Sequence, residues 1–198
     1  MADDREARAP VEPAVEPAVE AAGEPASEQH ADEQRAAVER AVMAQVEALG
    51  VVCERVACDP ELADTAAFCA HYGFDPQDSA NAIIVASKKK PKRYVACLLL
   101  ADSRLDVNRV VCKRMGAKRA SFASAEETRA LTGQLIGGVT VFGWPEPLPL
   151  YIDARVMTRE RIIVGGGSRS CKLLLAPDEL RKLANAEIVE GLAKPRPA

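Results

Sequence analysis

A chain of 198 residues, 48% of them hydrophobic, has room for one domain of ordinary size plus a tail. Only 4% of the residues are aromatic, so the interior is built from Ala, Val, Leu and Ile, and an aromatic platform for stacking single-stranded nucleic acid is excluded as the main function. The net charge of −3 hides a division, because residues 1–34 carry ten acidic and two basic side chains, net −8, and residues 35–198 carry 24 basic and 19 acidic, net +5.

The N-terminal repeat VEPAVEPAVE offers no continuous apolar face, so residues 1–34 are expected to form a disordered acidic arm and residues 35–198 the domain. The start has no basic segment followed by an apolar core, and no run of eighteen apolar residues follows, which sets the cytoplasm as the expected compartment. EQRAAVERAVMAQVEALG places Val38, Val42, Val46 and Leu49 on one helical face with Gly50 as its stop. VVCERVAC reads as a strand, and DPELADTAAFCAHYG as a second helix that opens at Asp59-Pro60 and closes at Gly73.

NAIIVAS and RYVACLLLA are strand-like runs around KKKPK, a hairpin with a basic tip. DVNRVVCKRMGA is amphipathic through Val107, Val110, Val111 and Met115, and SAEETRALTG has Ser124 and Glu127 in capping-box spacing. LPLYIDA, RIIVGGG and CKLLLA read as strands and PDELRKLAN as a last helix. Adjacent strands without intervening helices argue against a doubly wound parallel sheet. The expected class is α+β, a mixed and largely antiparallel sheet flanked by helices.

Residues 131–153, LTGQLIGGVTVFGWPEPLPLYID, are apolar enough to be buried yet interrupted by glycine and proline. Glycine admits close approach of another molecule, and a buried irregular backbone needs either internal partners or a ligand, so this segment is a candidate pocket wall. VGGGSRS, residues 164–170, reads either as an anion-binding nest or as a tight turn between strands. It lacks the spacing of a phosphate loop or a dinucleotide fingerprint. Lys88, Lys89, Lys90, Lys92 and Arg93 crowd the hairpin tip, with Lys113, Arg114, Lys118 and Arg119 later. They either solvate an edge or contact phosphates. The six cysteines include no CxxC pair, which argues against zinc and for small core residues, and His71 is the one histidine outside the arm.

SANAIIVASKKKPKRYVACLLLADSRLDVNRV, KRASFASAEETRALTGQLIGGVTVFG, LPLYIDARV and IIVGGGSRSCKLLLAPDEL resemble, in order and spacing, the YbaK and prolyl-tRNA synthetase editing-domain family. The resemblance implies a hydrolase of translation fidelity that deacylates mischarged aminoacyl-tRNA, here free-standing and acting in trans on a small amino acid carried by proline tRNA. It implies no metal and no cofactor. The alternative is a non-catalytic module of this fold that binds tRNA or an aminoacyl-tRNA synthetase; membranes are not a partner. Carried over by position, the family's Gly-x-x-x-Pro glycine falls at Gly137, with Val141 in place of the proline, and the family's lysine after the second helix falls at Asn81. Gly137 and Asn81 are thus the implied catalytic positions. Thr132, Gly133, Gly138, Val139, Thr140, Gly166, Gly167, Ser168 and Arg169 are the implied substrate-binding positions; Lys88, Lys89, Lys90, Lys92 and Arg93 are the expected tRNA-binding residues on the ground of their clustered charge.

Overall fold

The structure, a computed structural model, describes residues 24–196. Helix α1 (Glu24–Ala48) buries Val42 and Val46, and the chain leaves it through Gly50 at φ +62°. It takes in residues 24–34, which composition assigned to the acidic arm; residues 1–23 lie outside the described residues.

Strand β1 (Cys53–Ala57) is followed not by one helix but by two pieces, a 3₁₀ turn at Pro60–Leu62 and α2 (Thr65–Tyr72). The break has a local cause. Asp59 caps the first turn by accepting from Glu61 N–H, and Asp64 then adopts an extended backbone that restarts the chain as α2. Gly73 ends α2 in the left-handed region, as its position predicted.

The centre of the molecule is β3 (Tyr94–Leu100), which pairs antiparallel with β2 (Ala80–Ser87) and parallel with β6 (Leu150–Asp153). Strands β5 (Ala120–Phe122) and β9 (Ala186–Val189) complete a five-stranded sheet of order β5-β2-β3-β6-β9. Because side chains alternate along a strand, β3 serves two cores. Ala96, Leu98 and Leu100 join one, and Val95, Cys97 and Leu99 the other. This is why YVACLLL reads as an almost unbroken apolar run.

The first core is closed by α1 and by a second sheet of order β1-β8-β7, all antiparallel, formed with β7 (Ile162–Gly165) and β8 (Cys171–Leu175). The other is closed by Leu105, Val111, Met115, Val189 and Leu192, around the small ladder of β4 (Ser103–Leu105) with β10 (Ala193–Pro195). A third cluster under α2 packs Phe68 and Cys69 on Ile163. Among the described residues five of the seven strand pairings are antiparallel, so the class is α+β with a mixed, largely antiparallel sheet.

Three helical expectations differ in kind. DVNRVVCKRMGA forms a π turn (Val107–Val111) that runs into the short α3 (Cys112–Arg114), because the Asp106 carboxylate takes Arg109 N–H and three β-branched valines follow. PDELRKLAN is a 3₁₀ turn, Pro177–Lys182, that feeds β9. Of these three, SAEETRALTG alone is the helix that its caps announced: α4 (Ala125–Thr132) starts with the Ser124–Glu127 capping box and ends at Gly133, φ +73°.

Candidate active site

A cavity of ≈ 380 Å³ opens between the chain entering α2 (Ala63, Asp64, Thr65), the first half of β2 from Asn81 to Ile84, and the loop after α4. On that loop Ile136, Gly137 and Val139 form a wall, and Gly165 on β7 and Lys172 on β8 complete it. Phe122, Ala123 and Thr128 add to the rim. The wall is thus largely apolar, with Asp64, Asn81 and Lys172 as its strongly polar side chains.

The glycines of the wall serve a close approach of chain to chain. Gly167 N–H donates to Gly138 O at 2.8 Å, and a Cβ on Gly138 would stand 2.7 Å from Ser168 Cα. A Cβ on Gly165 would stand 2.6 Å from Gly138 O. Real Cβ atoms do not approach so near, so the two segments meet only because both lack them. The irregular backbone that follows is satisfied internally. Gln134, 1% exposed, accepts from Thr140 N–H and donates to Phe142 O, each at 2.8 Å, and Trp144 Nε1 donates to Thr140 O. Sequence reasoning offered internal pairing or a ligand, and Gln134 is the internal partner it did not name.

Gly137 itself has φ +94°, a left-handed conformation that glycine tolerates. Its carbonyl accepts from Lys172 Nζ at 3.0 Å, and the same ammonium donates to Ala63 O at 2.7 Å. Burial holds the Lys172 pKa below the ordinary lysine value, a shift that Arg169 reinforces and that Cys58, Asp64 and Cys69 oppose. Across the cavity Thr65 Oγ1 donates to Asn81 Oδ1 at 3.2 Å. Lys172 was not among the expected site residues. Its signal was a lone lysine inside the apolar strand CKLLLA; it shares the face of Leu174, opposite the core residues Cys171, Leu173 and Leu175, and lies against Phe68 of α2.

Of the other implied positions, Val139 lines this cavity and the rest lie behind or beside it. Thr132 is buried and closes α4, donating to Thr128 O and accepting from Gln134 N–H, and Gly133 is the helix cap. Thr140 is fully buried. The amides of Gly166 and Gly167 are engaged by Cys171 O and Gly138 O, so VGGGSRS is a tight connection and not an open anion nest. Gly167, Ser168 and Arg169 instead line a neighbouring cavity of ≈ 400 Å³ against α1. Arg169 bridges the two regions, since its Nε donates to Pro60 O at 2.9 Å and its Nη1 lies 3.8 Å from Asp64 Oδ1. Val141, 2% exposed, belongs to the core and not to the wall.

Among the described residues no histidine, serine or cysteine lines the cavity. His71 is exposed and packs edge-on against Tyr72. The cysteines are free, and burial raises the thiol pKa of Cys53, Cys58, Cys69 and Cys171 and pushes Cys97 up to about 12.

The basic tip is a separate feature. Lys88, Lys89, Lys90 and Arg93 meet Lys118 and Arg119 around a cleft of ≈ 580 Å³, which the Lys88 N–H to Arg119 O bond helps to shape. Arg93 braces the cleft by donating to Met115 O and Gly116 O, whereas Lys92 turns away into an ion pair with Glu127. Among the described residues no ion pair engages Lys88, Lys89 or Lys90. Lys113 and Arg114 lie on α3, and Arg114 pairs with Glu187.

The sequence profile of the aminoacyl-tRNA editing domain matches residues 59–183, well over half of the chain. The protein belongs to the aminoacyl-tRNA editing domain family. Every residue lining the ≈ 380 Å³ cavity falls inside the matched span. Among relatives of this editing domain, the chain is 26% identical over 112 residues to EbsC of Enterococcus faecalis, provisionally assigned as a Cys-tRNA(Pro)/Cys-tRNA(Cys) deacylase. That alignment covers 57% of this chain and 66% of EbsC, just under two thirds of its length. In fold the chain is similar to a crystal structure provisionally assigned as a trans-editing enzyme for prolyl tRNA synthetase. The TM-score is 0.68 at 23% identity, covering 77% of this chain and 95% of the other. It is also similar to the hypothetical protein APE2540, with TM-score 0.70 at 23% identity over 78% and 99% of the two chains.

Proposed function

We propose that this editing-domain protein is a free-standing hydrolase that removes a small, wrongly attached amino acid from tRNA, with proline tRNA as the carrier. The observation that carries the proposal is the coincidence of the family span with the cavity, whose volume suits a small aminoacyl group beside a terminal ribose. EbsC, with its provisional assignment to cysteine on proline tRNA, supports the choice of substrate class. The compartment proposed is the cytoplasm, where charged tRNA circulates; among the described residues no helix is long and apolar enough to cross a membrane.

The lining supports a hydrolysis by water. Among the described residues no serine, cysteine or histidine stands in the lining, and an aminoacyl ester is reactive enough to be hydrolysed by a well-placed water, so direct attack by water is the route proposed. Gly137 brings bare backbone to the cavity wall, and the Asn81 amide, oriented by Thr65, offers donors and an acceptor to a water or a ribose hydroxyl. The cleft at Lys88–Lys90 supplies a positive surface for the tRNA backbone. Asn81 carries no charge where the family has lysine, and this favours the second reading, a non-catalytic module that binds tRNA or a synthetase. The other departure, Val141, is buried in the core and does not line the cavity.

The deciding experiment is a deacylation panel in which each tRNA is charged with right and wrong amino acids and incubated with excess protein. Selective loss of a mischarged small amino acid supports the proposal. Survival of every ester at its spontaneous rate, with tRNA still bound, would establish the non-catalytic module instead.

A further inference from the structure

Lys172 lies in the lining of the cavity yet is only 9% exposed, on a strand whose other residues are apolar. An ammonium has three N–H donors, and two of them are taken by Ala63 O and Gly137 O. Among the described residues no carboxylate forms an ion pair with it. Asp64 is turned toward Arg169, while the Phe68 ring centroid is 5.6 Å from Nζ and Cys58 and Cys69 pack nearby. A desolvated cation without a carboxylate is costly to keep, and two carbonyls could be tied together by a neutral amide at less cost. The arrangement leaves one donor and a full positive charge for whatever enters the cavity.

We propose that Lys172 is the cationic group of the reaction site, its third N–H donating to the carbonyl oxygen of the aminoacyl ester. This rests on the deacylase reading and names the residue that stabilises its transition state. In the reaction a water oxygen bonds to the carbonyl carbon, and negative charge gathers on the carbonyl oxygen against the ammonium. The acyl bond to the ribose oxygen then breaks, that oxygen takes a proton from the attacking water, and the free amino acid and the ribose hydroxyl leave. One water is consumed and the lysine is unchanged. Lys172 is itself withdrawn from solvent, and a fixed charge so placed acts on the developing oxyanion more strongly than it would in water. Asn81 occupies another part of the same lining, so the positive charge that the family resemblance places at position 81 is here delivered from β8.

The test is single-turnover hydrolysis of the preferred mischarged tRNA by the full chain and by Lys172→Gln, which keeps amide donors for the carbonyls but no charge, with Lys172→Met as a second variant. The expected loss is about 10²-fold in rate with cooperative melting retained. Asn81→Lys placed in the Lys172→Gln background should recover about tenfold or more, which repair of a purely structural tie would not do. A folded Lys172→Gln that matches the wild-type rate, or a loss that Asn81→Lys leaves unchanged, overturns the inference. Should neither variant fold, the wild-type pH profile decides. The ratio of enzymatic to spontaneous hydrolysis should fall as pH rises through the depressed lysine pKa, and a ratio constant over that range counts against the lysine. Wild-type protein that hydrolyses no ester would remove the deacylase reading itself, whereas an active wild type with an equally active Lys172→Gln removes only the role of Lys172.

Discussion

Gly167 N–H donates to the carbonyl oxygen of Gly138 at 2.8 Å, joining the loop after α4 to the connection between β7 and β8. The cavity wall hangs from this hydrogen bond. A methyl group at 138 would push directly into the Ser168 backbone, which has no rotamer with which to yield. Gly138→Ala is expected to destabilise the fold by about 1–3 kcal/mol, the usual range for overpacking, measured by urea denaturation. A midpoint equal to wild type would mean that the two segments can separate freely.

Gly137→Ala is a different case, because the added methyl meets the flexible end of Arg169 and the main cost is the positive φ, about 1–2 kcal/mol. It should leave a folded protein with deacylation abolished, since the methyl displaces the Arg169 side chain that ties Pro60 and Asp64 beside the cavity. Full activity in a well-folded Gly137→Ala would remove Gly137 from the site.

Changing Lys88, Lys89 and Lys90 together to Ala should weaken tRNA binding and flatten its dependence on salt, by about one unit of slope for each phosphate that is no longer neutralised. Lys92→Ala is the control, because Lys92 is engaged by Glu127. An unchanged slope in the triple variant would return the hairpin to a solvated turn.

Much of this was legible beforehand, and what was not has a common cause. The capping box at Ser124, the stops at Gly50 and Gly73, and the β2–β3 hairpin are written in neighbouring residues, so local pattern sufficed. The strands β4, β5, β9 and β10, of three or four residues each, owe their existence to partners far along the chain, and no local signal announces them. The same holds for the site. Gly137 and Asn81 could be placed by resemblance, but Lys172 reaches Gly137 from 35 residues away and Gln134 looks like any loop glutamine until its partners are known.

Glu127 gives a stability test. The Lys92 ammonium, Ser124 N–H and the Tyr94 hydroxyl hold its carboxyl pKa down at about 2, against an ordinary 4.5. A depressed carboxylate contributes stability that is fully present above its unfolded pKa and is lost as pH falls through the folded one. Denaturation of Glu127→Gln should therefore show a smaller loss of stability than wild type between about pH 4.5 and about pH 2. Parallel curves would mean that the three hydrogen bonds do not form in solution.

Residues 1–23 carry six acidic and two basic side chains. If this segment competes with tRNA for the basic cleft, its removal should tighten binding at low ionic strength and make little difference at high salt. Equal affinity at both would show that the two charges do not meet.

Editing on proline tRNA is measured by following, with protein in excess, the decay of that tRNA carrying a wrong small amino acid beside the same tRNA carrying proline. The mischarged ester is expected to disappear well above its spontaneous rate while prolyl-tRNA persists. Decay of both at the spontaneous rate would contradict it.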